Sequence, residues 1–174
     1  MRKVLIIDTS ILCVWLEVPS KKTSGSKNDV WDKARIDKKL ADEEQQGTTF
    51  IFPLASLIET GNHIAQAGCY NRYELAQKLS DILLKALDGQ TPWGAFSNLL
   101  CEENNLRRLA KEWPNLATQK IAIGDATIKH VAEYYDSMSY SVEILTGDKG
   151  LKAYEPASSS KEIPIPRRHK NKSR

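Results

Sequence analysis

The sequence predicts an α/β protein, a three-layer α/β/α sandwich around a central, mainly parallel β-sheet. Three observations carry that expectation. "VLII" at residues 4–7 is an unbroken aliphatic run, the pattern of a strand covered on both faces. Strand-like segments then alternate with segments of helical periodicity along the chain. Finally, 174 residues suffice for one domain with a real core and are too few for two ordinary ones.

Val4 to Ile7 forms the first strand, and Ile11, Leu12, Trp15 and Leu16 mark a short helix over 10–17. "PSKKTSGSKND", 19–29, has no core-forming residue and reads as a polar loop. Residues 30–46 are charged and helical, closed by Gly47. "TTFIF", 48–52, is a second strand stopping at Pro53, followed by a helix to Gln66. The stripe Leu75, Leu79, Ile82, Leu83, Ala86 and Leu87 defines a helix over 72–87, with Asn71 as its N-cap and Glu74 at N3. Between 92 and 116 the pattern weakens, and a helix over 101–112 is the expectation. Ile128, Val131, Ala132 and Tyr135 share a face of a helix over 124–136. "SVEILT" is a strand, Lys149 to Tyr154 starts a short helix, and "EIPIP" suits an edge strand. The domain is expected to span 1–156, with a flexible basic tail over 157–174.

Hydrophobic residues make up 41% and charged residues 27%, a globular composition. No apolar run reaches the roughly 18 residues of a membrane span, and only four aliphatics separate Lys3 from Asp8, too few for a signal peptide. A cytoplasmic protein without membrane contact is expected. Cys13, Cys69 and Cys101 are widely spaced in apolar context, which indicates structural thiols. The net charge is +3, yet the last eight residues, "RRHKNKSR", hold five Arg and Lys, so the rest of the chain carries −2. A polyanion would therefore be attracted chiefly by the tail, Arg167 and Arg168 included.

Four acids fall where a parallel sheet concentrates its chemistry, at the carboxyl ends of its strands. Asp8 ends the first strand and Asp148 follows "SVEILT". Glu59 lies in the early turns of the helix leaving "TFIF", and Asp125 opens a helix beside its apolar stripe. Taken singly, each has an ordinary reading as a cap, a turn residue or a solvated side chain. Together they put four carboxylates on one rim without matched basic partners, an oxygen-donor set suited to Mg²⁺ or Mn²⁺.

The segments "LIIDTSIL", "LIETGNHI", "IGDATIKHVA" and "ILTGDKGL" resemble, in order and setting, the four acidic motifs of the PIN domain. That superfamily comprises metal-dependent ribonucleases and includes VapC-type toxins. The resemblance covers residues 3 to 152; the 19–29 loop and the basic tail lie outside the toxins' plan. It implies that Asp8, Glu59, Asp125 and Asp148 surround one or two divalent ions and that Thr146 and Ser10 support them. It further implies endonucleolytic cleavage of RNA, a toxin or defence role, a homodimer, and an antitoxin or other protein inhibitor as partner. Lys149 follows Asp148, where it could meet a scissile phosphate, although its ordinary reading is a solvated lysine. Two alternatives are a non-catalytic interaction module on the same scaffold and a Mg²⁺-dependent phosphohydrolase of small molecules.

Other signals are weaker. Glu59 and His63 share a helix face, but the HExxH pattern and a third zinc ligand are missing, so His63 reads as structural. Trp15, Trp31, Trp93 and Trp113 form no stripe and read as core or helix-contact residues. No Walker A loop, GxGxxG or D-x-D pattern is present.

Overall fold

The computed structural model describes residues 2–68, 70–94 and 102–157. "EIPIP", Cys69, Cys101, Arg167 and Arg168 lie outside the described residues. Strand β1 (Lys3–Ile7) leads into α1 (Thr9–Trp15). A small hairpin follows, β2 (Ser24–Ser26) and β3 (Asp29–Trp31), then α2 (Lys33–Gln45) and β4 (Thr49–Ile51). Helices α3 (Leu54–Gln66), α4 (Arg72–Leu87), α5 (Glu103–Thr118) and α6 (Ile123–Ser137) precede β5 (Ser141–Leu145) and the one-turn α7 (Lys149–Lys152). None of the described helices is long and apolar enough to cross a membrane.

The central sheet is β4-β1-β5 and entirely parallel, with Leu5 opposite Phe50 on one side and Glu143 on the other. Because side chains alternate along a strand, β1 feeds two cores. Leu5 and Ile7 pack with Leu12, Ile36, Leu75 and Leu79 beneath α1–α4. Val4 and Ile6 pack with Ile128, Val131 and Ile144 beneath α6 and α7. Val4 to Ile7 are each 0% exposed, and each contributes about 1.5–3 kcal/mol by burial. A strand covered this way on both faces is the middle layer of an α/β/α sandwich, as the sequence predicts.

Some local expectations are corrected. The 19–29 loop contains β2 and the first residue of β3, and the rest of β3 occupies the start of the 30–46 segment expected to be helical, where α2 begins only at Lys33. The hairpin's strands are short, polar and largely exposed. Asn71 occupies the N-cap position of α4, but its side chain makes no capping bond. Helix α5 runs on to Thr118, through Pro114, rather than ending at 112. Its last turn is retained by Thr118 Oγ1 donating to the Asn115 carbonyl, while Trp113 Nε1 donates to the Ile121 carbonyl just beyond it. Trp93 fulfils the core reading, edge-on to Phe50 and Phe52.

A four-charge cluster fastens α2 to the sheet. Lys3 and Lys39 both pair with Glu43 and with Glu143. Burial pushes the Glu43 carboxyl up, but bonds from Lys3, Lys39 and Thr48 outweigh it and bring it down to about 2. A carboxyl lowered on folding adds stability that is complete above its ordinary value of 4.5 and is lost as pH falls toward 2. Glu43→Gln is expected to cost about 1.5–3 kcal/mol at pH 7 and to flatten the stability profile between pH 4.5 and 2. Urea titrations of both proteins across that window check it; parallel profiles would refute the assignment.

Candidate active site

All four predicted acids reach one cleft of ≈ 290 Å³ at the carboxyl edge of the sheet. Each arrives by a different local device. Asp8 leaves β1 in extended conformation and caps α1, its side chain accepting from the amides of Thr9 and Ser10. Asp148 caps α7 in the same way, its Oδ1 accepting from the amides of Gly150 (2.6 Å) and Leu151 (3.2 Å). Glu59 sits on the second turn of α3 and accepts from Thr9 Oγ1 at 3.0 Å. Asp125 stands in the first turn of α6, where the helix dipole favours an anion.

Asp8 is 5% exposed, and a carboxylate that deep needs its lone pairs filled. Ser10 Oγ (2.7 Å) and Thr146 Oγ1 (2.8 Å) both donate to its Oδ2. Each hydroxyl also accepts an amide from the loop after β5, Ser10 from Gly147 at 3.1 Å and Thr146 from Asp148 at 3.0 Å. The two predicted supporting residues therefore couple Asp8 to the backbone that carries Asp148. Oδ1 of Asp8 accepts one bond, from Thr9, which leaves an acceptor site open.

Glycine at two positions permits the close approaches. A Cβ on Gly124 would stand 2.3 Å from Glu59 Oε1, so a larger residue there would push that carboxylate out of its present position. A Cβ on Gly147 would meet Ser24 Oγ at 2.0 Å and the Gly25 amide nitrogen at 2.5 Å. The β2–β3 hairpin is thus packed against the Thr146–Asp148 loop.

Burial pushes the Asp125 carboxyl up, and the charges of Asp8, Asp148 and Glu59 push it further, to about 6. Four negative groups are therefore within electrical reach of one another. Among the described residues no three or more His, Cys, Asp or Glu are gathered into an ion's coordination shell. The donor chemistry still fits a hard cation: four carboxylates face a cleft with space for several waters. Mg²⁺ keeps much of its hydration shell and binds through one or two carboxylates, so a wide acidic cleft suits it better than a closed cage would.

The structure places the remaining predicted residues as follows. Lys149 is exposed and lines a neighbouring groove with Trp31 and Lys152, outside the four-acid cleft. His63 lines the cleft, one turn from Glu59. Cys13 lines it too, but burial pushes its thiol up to about 11, so it supplies no thiolate near neutral pH. Lys21, Thr23 and Ser24 also line the cleft and escaped the sequence reading, because nothing in a polar loop shows which way it folds back. No family model, curated protein or solved structure matches the chain.

Asp125 is ordinarily half-ionised near pH 3.8 but near 6 in the folded protein, so its ionisation costs stability as pH rises through that interval. Asp125→Asn is expected to leave the metal-free protein equally or more stable at pH 7 and to make no difference well below pH 3.8. It should also shrink the stabilisation given by added Mn²⁺. Thermal melts with and without Mn²⁺ measure both effects; an undiminished Mn²⁺ shift would remove Asp125 from the site.

Proposed function

We propose that the protein is a divalent-metal-dependent endoribonuclease of the PIN-like kind. One observation carries the reading: four carboxylates from four separate segments converge on a single cleft at the carboxyl edge of the sheet, where burial and the other three acids together raise the Asp125 carboxyl. Carboxylates that repel one another destabilise a fold unless a cation shares them, so such a cluster points to function rather than to stability.

Asp8, Asp125, Asp148 and Glu59 would hold Mg²⁺ or Mn²⁺, which supplies activation of water and neutralisation of charge on the phosphate. The chain's own contribution is placement. Ser10 and Thr146 fix the rotamer of Asp8 through its Oδ2, leaving Oδ1 with its spare acceptor site. Thr9 steadies Glu59 by a hydroxyl bond. Burial and the other three acids push the Asp125 carboxyl up to about 6 without a cation, and a bound cation would lower it. The resemblance to PIN domains adds single-stranded or looped RNA as substrate and 3′-hydroxyl and 5′-phosphate ends as products. It also supports a homodimer and an antitoxin-like inhibitor as partners. The tail residues Arg167 and Arg168, with Lys149 near the cleft, would draw RNA in.

Purified Asp8→Asn protein is expected to cleave RNA at least about 100-fold more slowly than wild type. A chelator should silence the wild type, and Mn²⁺ or Mg²⁺ should restore it. Cleavage of RNA without cleavage of phosphomonoesters separates this reading from a small-molecule phosphohydrolase. Full activity of Asp8→Asn in chelator would refute the site.

Removing residues 167–174 should weaken RNA binding and flatten its salt dependence by up to about 0.7 per cation lost. Turnover of bound RNA should stay nearly constant. Equal salt slopes for the two proteins would exclude a role for the tail.

A further inference from the structure

The cleft has a division of labour that the acids alone do not explain. The four carboxylates offer only acceptors. Much of the donor chemistry on its wall belongs to one short segment leading into and opening β2, where Lys21, Thr23 and Ser24, with an ammonium and two hydroxyls, line the cleft. Lys21 is half-buried, and no ion pair joins it to a carboxylate among the described residues. Elsewhere in this protein, half-buried lysines sit directly on acids: Lys3, Lys39 and Lys129 all do. A lysine that lines a cleft of four carboxylates yet stays outside ion-pair distance of each is not there to neutralise them. Its segment is also fixed in place. Glu17 and Ser20 are held at φ of 60° and 68°, the Lys21 amide donates to the Val18 carbonyl, and Ser24 lies against Gly147.

The geometry points to Lys21, with Thr23 and Ser24, as the phosphate-binding wall of this cleft. Lys21 would donate to a non-bridging oxygen of a phosphodiester on single-stranded RNA while the acids serve the metal side. This rests on the nuclease reading above and adds to it a substrate-binding residue in the hairpin region. A lysine acts here as a compact charge with three donors, so arginine should substitute in part and methionine should not.

The test is fluorescence anisotropy of a labelled single-stranded oligoribonucleotide, in Ca²⁺ in place of Mg²⁺, over a salt series. It compares wild type, Lys21→Met, Lys21→Arg and the exposed α2 control Lys38→Met. Lys21→Met is expected to bind about tenfold more weakly and to lose about 0.7 from the salt slope. Lys21→Arg should recover most of both, and Lys38→Met should match wild type. Thermal melts with Mn²⁺ run in parallel. If Lys21 only relieves repulsion among the acids, Lys21→Met will lower metal-free stability, enlarge the Mn²⁺ shift and leave RNA affinity unchanged, which overturns the proposal. Wild-type affinity in Lys21→Met alone overturns the Lys21 assignment and spares the nuclease reading. Absence of RNA binding by the wild type overturns both.

Discussion

The buried carboxylate of Asp8 is the constraint on which the site depends. A carboxylate that loses water must recover about four hydrogen bonds, and the cost of leaving one unmade is about 1–3 kcal/mol or more for a charged group. Here the bonds come from the first turn of α1 and from two hydroxyls, Ser10 and Thr146. Those hydroxyl oxygens keep their acceptor lone pairs while donating, and they accept the amides of Gly147 and Asp148 respectively. The ends of β1 and β5 are therefore locked to each other by a polar network as well as by the ladder. Loosening either hydroxyl would disturb two acids at once.

Two clusters of the same residue types show how context decides their role. On the face under α2, Glu43 has two lysines within reach, and its carboxyl falls to about 2. At the carboxyl edge, Asp125 has three acids for company, and its carboxyl rises to about 6. Burial pushes both carboxyls up; the lysines reverse that at Glu43, whereas the other acids add to it at Asp125. The first arrangement is self-sufficient and fastens a helix. The second is left with unbalanced negative charge, and it lines a cleft open to solvent.

Much of this was legible in the sequence because it follows from short-range rules. Val4 to Ile7 had to be a doubly covered strand, and an acid directly after a parallel strand had to lie on the carboxyl edge. Ser10 stands two residues from Asp8, so its contact is local, whereas the bond from Thr146 to Asp8 spans 138 positions and was reached only through the motif resemblance. Three features were not legible. Strands β2 and β3 are three residues each, with sequences SGS and DVW, and carry no periodic apolar face. The course of α5 through Pro114 runs against a penalty of about 3 kcal/mol, which tertiary contacts override. Lys21 depends on a turn with two residues at positive φ, neither of them glycine, a conformation that composition does not announce.

The topology explains why Asp8, rather than another strand-end residue, holds the centre. In the order β4-β1-β5, the chain leaves β1 for β4 on one side and later returns to add β5 on the other. The connections thus part at β1, and a crevice opens beyond its carboxyl end. A residue there touches elements from both halves of the chain. Asp8 accordingly bonds to Thr146 from 138 positions away and shares a cleft with Glu59 and Asp125. The β2–β3 hairpin then covers a crevice the sheet has already made, with Gly147 as the point where it seats. The acids are therefore a property of the sheet's topology, whereas the donor wall belongs to a polar insertion. On the proposed function, metal binding and substrate recognition would rest on separate parts of the chain.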